Sequence, residues 1–368
     1  MTWRARVRVL ATAGVGAALI ASSVTWISTA EAAAPGPGYG YVWLDDPTRP
    51  VGSEYTPALN YQFNSTQATN TVIRRGTGNF DVYFPNLERF GVPSVTPYSV
   101  TAGQRCKIGS WRASTSRIGT VVNVRCTTRT GSPTNVRFAV SYTHQRDPFG
   151  SGAYLWSNVA SPALNQEYIP ALAYQYSTAG GPNAVMRLAT GFYRVRFAGI
   201  APGPVPGLTV AATGTTAVGT YCRVVQLQAG GGSDRTVDVL CRDSNHANVD
   251  SAFVVSMVNS GNAMFAPVTF SAHSFITCSE ADGTCGVLAS TNGAVSAARA
   301  GPGQYEIAHP NPLNAGNVQI GAFWALNNGA GLCNVSWWGA ATVAVRCVDP
   351  VTGNAPTGTS LFWVNYVA

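Results

Sequence analysis

An all-β protein built from three tandem copies of one unit is the fold that this 368-residue sequence predicts. Three observations lead to it. The stretch EYTPALNYQF at residues 54–63 returns as EYIPALAYQY at residues 167–176, apolar and polar residues alternate in short stretches, and no long stretch of helical periodicity follows residue 32. A period of two is typical of half-buried antiparallel strands, and a long-range repeat indicates copies of one structural unit.

The copies have a length of about 110 residues, the scale of one small domain. We place them at residues 33–150, 151–261 and 262–368. Every copy has an arginine four residues before a glycine and closes on an alternating strand that begins with phenylalanine. The arginines are Arg74, Arg187 and Arg299, and the phenylalanines are Phe138, Phe253 and Phe362. The third copy departs from the others at residues 271–292, where it carries an extra pair of cysteines.

Each copy offers about eight short strands, separated by turns rich in Gly, Pro, Asn and Ser. The strands divide into two consecutive sets of four, so the three copies give six sets. Six four-stranded sets favour a six-bladed β-propeller, because radial blades leave only short, protected edges. Three tandem β-sandwiches are the alternative architecture.

The cysteines fall into pairs that are close in sequence. The predicted bridges are Cys106–Cys126, Cys222–Cys241, Cys278–Cys285 and Cys333–Cys347. This spacing fits neighbouring strands of one sheet and differs from the immunoglobulin-type bridge, which joins opposite sheets. No C-x-x-C motif and no histidine at metal-ligand spacing accompanies the cysteines, so we expect neither a metal site nor a cofactor.

The first 32 residues have the pattern of a secretory signal peptide. Arg4, Arg6 and Arg8 precede an apolar stretch, and Ala30 and Ala32 form an A-x-A cleavage site. No later stretch has the roughly 20 consecutive apolar residues of a transmembrane helix. We therefore expect a secreted protein whose cysteines form disulfides in an oxidising compartment.

The charge of the chain points to the class of partner. The formal net charge is +7, and Lys107 is the single lysine, an arginine preference typical of a GC-rich bacterial genome. Basic residues concentrate in residues 33–150, which favours an anionic partner through long-range attraction. No nucleic-acid or nucleotide motif is present. We expect a polysaccharide or another cell-surface ligand as the partner.

Asp45 and Asp46 are the candidate catalytic residues, because glycoside hydrolysis commonly uses two carboxylates. The sequence comparison sets them against Ser157 and Asn158 of the second copy, so the carboxylates are particular to the first copy. An Asp-Asp-Pro sequence is also common in turns, and the turn is the favoured interpretation.

Aromatic and arginine residues that recur in the copies are the candidate ligand-binding residues. They are Trp43, Trp156, Tyr55, Tyr168, Arg74 and Arg187. Aromatic rings stack on sugars, yet recurrence at equivalent strand positions favours core packing for the rings and strand bracing for the arginines. Glu54 and Glu167 recur in an identical frame, which favours a structural task for them as well.

The other polar candidates have structural interpretations. The histidines lie in different settings and form no recognisable triad: His144, His246, His273 and His309. His309 stands where the other copies have Phe84 and Phe197, so packing is its expected role. The loop with Glu280, Asp282 and Gly283 lacks the EF-hand pattern, which favours a surface turn over a calcium site.

Two functional classes remain. Repetition favours a secreted protein that binds a polysaccharide or another cell-surface ligand, because repeated pockets give avidity. The alternative is an extracellular glycoside hydrolase or lyase, which needs one constellation held in one place.

Overall fold

The computed structural model describes residues 38–101, 103–144, 152–200, 206–215, 219–230, 232–259, 271–291, 293–310, 316–323 and 332–367. The predicted signal peptide lies outside the described residues. Among the described residues, no helix is long and apolar enough to cross a bilayer. The described residues belong to one compact unit.

The all-β prediction is confirmed, with 26 strands in the described part of the chain. The two short 3-10 turns are Leu59–Tyr61 and Leu172–Tyr174. The strands of the first segment are β1 (Gly38–Leu44), β2 (Glu54–Tyr55), β3 (Gln62–Asn64), β4 (Thr71–Gly76), β5 (Asn79–Pro85), β6 (Val92–Tyr98), β7 (Arg105–Ala113), β8 (Gly119–Thr127) and β9 (Arg137–His144).

The second and third segments follow the same plan. The strands of the second are β10 (Gly152–Ser157), β11 (Glu167–Tyr168), β12 (Gln175–Ser177), β13 (Ala184–Ala189), β14 (Phe192–Phe197), β15 (Pro206–Ala212), β16 (Tyr221–Ala229), β17 (Arg235–Arg242) and β18 (Phe253–Asn259). Those of the third are β19 (Ser271–Ser279), β20 (Cys285–Ser290), β21 (Ser296–Gly301), β22 (Gln304–Ala308), β23 (Asn317–Phe323), β24 (Leu332–Gly339), β25 (Thr342–Val348) and β26 (Thr359–Val367).

Each segment contributes two layers, which we call sheet I and sheet II. Sheet I has the order β3-β1-β9-β6 in the first segment, β12-β10-β18-β15 in the second and β20-β19-β26-β23 in the third. Sheet II has the order β2-β4-β5-β8-β7, then β11-β13-β14-β17-β16, then β21-β22-β25-β24. The pairing order therefore recurs along the chain.

The predicted propeller is wrong for the described residues, because consecutive sets of four strands do not form blades. The first strand of each segment pairs with its last strand instead, as in β1 with β9, where Gly38 lies opposite His144 and Leu44 opposite Phe138. Strand alternation identifies which residues face a core but not which strand is the neighbour. The local pattern therefore does not predict that the first and last strands of a segment pair.

Sheets I and II of each segment face each other across an apolar core. An aromatic ring from sheet II meets one from the last strand of sheet I at the same place in every segment. The pairs are Phe80–Phe138 at 5.5 Å, Tyr193–Phe253 at 5.1 Å and Tyr305–Phe362 at 5.6 Å between ring centroids. All six residues are buried, and burying one such ring stabilises the fold by about 2–3 kcal/mol.

The four predicted disulfides are confirmed, and all eight cysteines are bonded. Every bridge joins residues directly opposite on neighbouring antiparallel strands, as in Cys106 and Cys126 of β7 and β8. Each bridge therefore staples one hairpin, as the spacing predicted.

The segments are joined in cyclic order by parallel contacts between edge strands. Sheet II of one segment meets sheet I of the next, and sheet II of the third meets sheet I of the first. The paired residues are Ile108 with Thr213, Val224 with Phe323, and Val335 with Tyr98. Main-chain bonds support the junctions, including Ser99 N to Val335 O at 2.8 Å.

Polar contacts link sheet I of the third segment to sheet I of the first. Gln319 Nε2 donates to Ser141 Oγ at 3.0 Å, and Ile320 N donates to Thr96 Oγ1 at 3.1 Å. Strands β23 and β15 approach so closely that a Cβ at Gly321 would lie 2.4 Å from the carbonyl oxygen of Leu208. Glycine is therefore required at this contact between the second and third segments.

Substituting Gly321 tests that close approach. Gly321→Ala is expected to lower the free energy of unfolding by about 1–3 kcal/mol, because the added methyl group forces β15 and β23 apart. Gly76→Ala is the matched control, since a Cβ there meets nothing within 4 Å. Urea denaturation of the oxidised protein gives both values. Equal stability of the two variants would contradict the packing of these segments.

Candidate functional site

The predicted ligand-binding residue Trp43 lies in an aromatic cluster at the junction of the third and first segments. Its ring centroid is 4.7 Å from that of Tyr61, 5.0 Å from Trp338 and 5.3 Å from Tyr98. Two of these contacts are edge to face, the geometry that aromatic quadrupoles favour. Trp43 therefore packs strands together, and Tyr98 forms the end of the cluster at β6.

Trp156 has the same role at the junction of the first and second segments. Its ring lies 4.9 Å from Trp111 and 5.1 Å from Tyr174, edge to face in both cases. Trp156 Nε1 also donates to Thr213 Oγ1 at 3.2 Å. Both predicted tryptophans are thus held by protein groups at segment junctions.

A recess of about 470 Å³ opens beside the Trp43 cluster. Its lining includes both candidate carboxylates, Asp45 and Asp46, together with Tyr98, Gln104 and Arg137. We call it the Asp45 recess. It is the place where an aromatic edge, carboxylates, an amide and an exposed guanidinium come together in the described part of the chain.

The Asp45 recess has hydrogen-bonding capacity that the described residues leave unused. Asp45 Oδ1 and Gln104 Oε1 are both buried, and no donor from the described residues reaches either atom. An unpaired buried acceptor costs about 1–3 kcal/mol. The exposed Arg137 donates through Nε to Asp45 O at 2.8 Å, which fixes its guanidinium at the rim.

Asp46 is committed to a turn, as the favoured interpretation predicted. Its Oδ1 accepts from Thr48 N at 3.0 Å and from Thr48 Oγ1 at 2.7 Å, and its Oδ2 lies 3.0 Å from Arg49 Nε. The hydrogen bonds from Thr48 hold the pKa of Asp46 below its ordinary value. Asp46 is therefore a poor proton donor at neutral pH.

The strand registers correct the alignment of the two candidate aspartates. Leu44 and Ser157 occupy equivalent positions, opposite Phe138 and Phe253, so Asp45 corresponds to Asn158. The side chains do the same work: Asp45 Oδ2 accepts from Ala58 N at 3.3 Å, and Asn158 Oδ1 accepts from Ala171 N at 3.2 Å. What distinguishes Asp45 is its second oxygen, the unpaired acceptor of the recess.

Tyr55 and Tyr168 hold the loops that follow the first strand of their segments. Tyr55 Oη donates to Asp46 O at 3.0 Å, and Tyr168 Oη lies 2.6 Å from Ser157 Oγ. Burial raises the pKa of Tyr168 and keeps the hydroxyl protonated. Both tyrosines shape the loops and do not line the Asp45 recess.

Arg187 braces a hairpin, in agreement with the structural interpretation of the repeated arginines. Its guanidinium binds Asp250 through two nitrogens at 3.0 and 2.7 Å, and Gly191 N and Tyr193 Oη donate to the same carboxylate. Bidentate pairing of this kind is strong and geometrically specific. The carboxylate partner was missed in the sequence because it lies 63 residues away.

The third segment repeats this brace with a carboxylate from a different place in the chain, the turn that follows β19. Arg299 binds Glu280 at 3.0 and 2.8 Å, and Gly303 N and Tyr305 Oη complete the set. Glu280 thus serves the brace. Asp282 caps its own turn, so the loop is the predicted surface turn.

The first segment departs from the pattern at the Asp45 recess. Here the residue that accepts from the turn glycine, Gly78, is the neutral Asn135 at 2.8 Å. Arg74 donates to Arg49 O at 3.0 Å and pairs with no carboxylate in the described part of the chain. Asn135 also lines the recess, so the missing brace and the recess occur together.

Glu54 and Glu167 both form ion pairs on the surface of sheet II. Glu54 accepts from Arg117 at 2.7 Å, and Glu167 binds Arg196 at 3.0 and 2.9 Å. The hydrogen bond from Arg196 lowers the pKa of Glu167, so this carboxylate is ionised at neutral pH.

The histidines form no common site. His144 lies 3.6 Å from Glu88, His246 lies 3.2 Å from the hydroxyl of Tyr221, and His273 contacts Thr291. No group of metal-ligating side chains is found among the described residues. His309 is buried at the end of β22, equivalent to Phe84 and Phe197, and burial lowers its pKa to about 4.

The pKa of His309 makes stability depend on pH. In the unfolded chain this histidine gains a proton as the pH falls below 6.5, whereas in the fold it stays neutral down to about pH 4. The free energy of unfolding therefore has its full value above pH 6.5 and falls by up to about 3 kcal/mol as the pH falls to 4, because the unfolded chain then binds a proton that the fold does not. His309→Phe is expected to remove this part of the pH dependence in urea unfolding at pH 7 and 4.5. Parallel profiles for wild type and variant would disprove a buried neutral histidine.

The residues that make the Asp45 recess were only partly predictable. Asp45 is a candidate because it is one of two adjacent carboxylates, but no sequence motif marks Tyr98, Gln104 or Arg137. They come from strands and turns that are far apart in sequence and meet only through the pairing of β1, β6 and β9. No family model, curated protein or solved structure matches the chain.

Proposed function

We propose that this is a secreted protein that binds a polysaccharide through the Asp45 recess. The observation that carries the proposal is the pair of unpaired buried acceptors, Asp45 Oδ1 and Gln104 Oε1, beside Tyr98. Sugar hydroxyls supply hydrogen-bond donors for such acceptors. Tyr98 offers a ring edge for the apolar face of a sugar.

The compartment and the architecture belong to the same proposal. Four disulfides and the signal-peptide pattern support secretion, because disulfides persist in oxidising compartments. The facing sheets and the recurring strand order support three β-sandwiches in a cyclic arrangement. Arg137 at the rim favours an acidic polymer, in line with the basic first segment.

Binding is favoured over hydrolysis by the state of Asp46. A pair of glycosidase carboxylates needs one member with a raised pKa that donates a proton to the leaving group. Thr48 instead lowers the pKa of Asp46, and its oxygens are held in a turn. A hydrolase or lyase remains the alternative function, and the binding experiment measures product release to distinguish it.

The isosteric variant Asp45→Asn tests the proposal with little risk to the fold, because Asn158 makes the equivalent loop contact. Affinity for the bound polymer is expected to fall at least tenfold, since a hydrogen bond to a charged group contributes about 1.5–3 kcal/mol. Affinity electrophoresis with xylan, chitin, laminarin and polygalacturonate measures retention, and reducing-end and absorbance assays measure products.

Asn158→Asp is the matched control, because it changes charge at the equivalent position outside the recess. It should retain wild-type affinity. Retention that both variants lose equally, or no retention on any polymer, would refute binding at the recess. Product release that disappears in Asp45→Asn would identify the enzyme instead.

A further inference from the structure

A second cavity lies where the three segments meet. Its volume is about 70 Å³, and its lining includes the first cysteine of three of the four hairpin bridges, Cys106, Cys222 and Cys333. We call it the axial cavity. The polar part of its lining consists of Gln104, Arg105, Tyr221, Arg223 and Asn334. Two guanidinium groups and no carboxylate therefore line it.

Arg105 is buried with most of its hydrogen-bonding capacity unused. The residue is 3% exposed, and its Nη1 donates to Gly219 O at 3.0 Å. Its guanidinium lies 4.4 Å from the ring centroid of Tyr221. Among the described residues, nothing accepts a hydrogen bond from Nε or Nη2. An arginine retains its charge when buried, so these donors need an acceptor.

Arg223 brings a second buried charge to the same cavity. It is also 3% exposed, and burial lowers its pKa to about 10, a value at which it is still charged at neutral pH. Asp243 attracts Arg105 and Asp349 attracts Arg223, but neither carboxylate lines the axial cavity. Two positive charges therefore lie beside one small cavity, where both attract an anion.

We propose that the axial cavity binds a small oxyanion, sulfate or phosphate, between the guanidinium groups of Arg105 and Arg223. The unpaired donors of Arg105 turn onto the anion oxygens, in the charge-assisted geometry that guanidinium and oxyanion favour. A buried water needs roughly 10–15 Å³, so a cavity of about 70 Å³ accepts a few waters or one small ion. A sugar ring is too large. The axial cavity shares Gln104 with the Asp45 recess, but its arginines do not line the recess.

Titration calorimetry of the mature protein with sodium sulfate or sodium phosphate, at ionic strength held constant with chloride, tests the site. One anion per chain is expected to bind saturably, and Arg105→Met is expected to weaken binding at least tenfold. Arg235→Met is the matched control, because Arg235 is also buried but does not line the cavity. It should leave the affinity unchanged.

Stability measurements give an independent result. Sulfate stabilises proteins generally because it is excluded from their surface. Binding at the axial cavity is instead reported by an increase in the urea midpoint that saturates with sulfate concentration and is absent in Arg105→Met. If that variant does not fold, Arg223→Met takes its place. Glucose 6-sulfate tests whether a sulfate ester on a sugar could be the ligand, and it should not bind because the sugar ring is too large for the cavity. Absence of saturable binding to wild type, equal binding by all variants, or binding of the ester alone would overturn the proposal.

Discussion

The parallel contact between edge strands of neighbouring segments is the constraint on which the rest of this fold depends. A sandwich of two sheets leaves unpaired edges that invite association. Here sheet II of each segment meets sheet I of the next, through Ile108, Val224 and Val335. Because the third segment meets the first, the order closes on itself, and the copies of sheet I are brought close enough to require Gly321.

The junctions also decide where aromatic residues and cavities lie. Trp43 and Trp156 fill the junctions on either side of the first segment. At the remaining junction, Trp363 of the third segment packs into the core of the second, together with Phe275 and Phe323. Recurrence of aromatics in the sequence therefore reflects recurrence of junctions. Ligand-binding capacity arises beside these clusters, where loops of unequal composition leave polar atoms without partners.

Departure of the first segment from the common pattern gives the candidate site its character. The second and third segments place a carboxylate, Asp250 or Glu280, under the turn glycine and pair it with the repeated arginine. The first segment has Asn135 there, and Arg74 is released from that pairing. The bracing carboxylates accept hydrogen bonds from the protein itself, whereas among the described residues no donor reaches Asp45 Oδ1 or Gln104 Oε1. The residues that brace the fold are therefore different from the residues that form the candidate binding site.

The sequence by itself determined the all-β class and the hairpin disulfides, because alternation with period two and close cysteine spacing are local properties of the chain. It also determined that residues such as Tyr168 and Arg187 serve the scaffold, since they recur in one frame. Only the tertiary structure decided that β1 pairs with β9, that Asp45 corresponds to Asn158, and that Arg105 and Arg223 share a cavity. These facts depend on contacts between distant segments, where hydrophobic burial and edge pairing select among strand orders that the same local pattern permits equally.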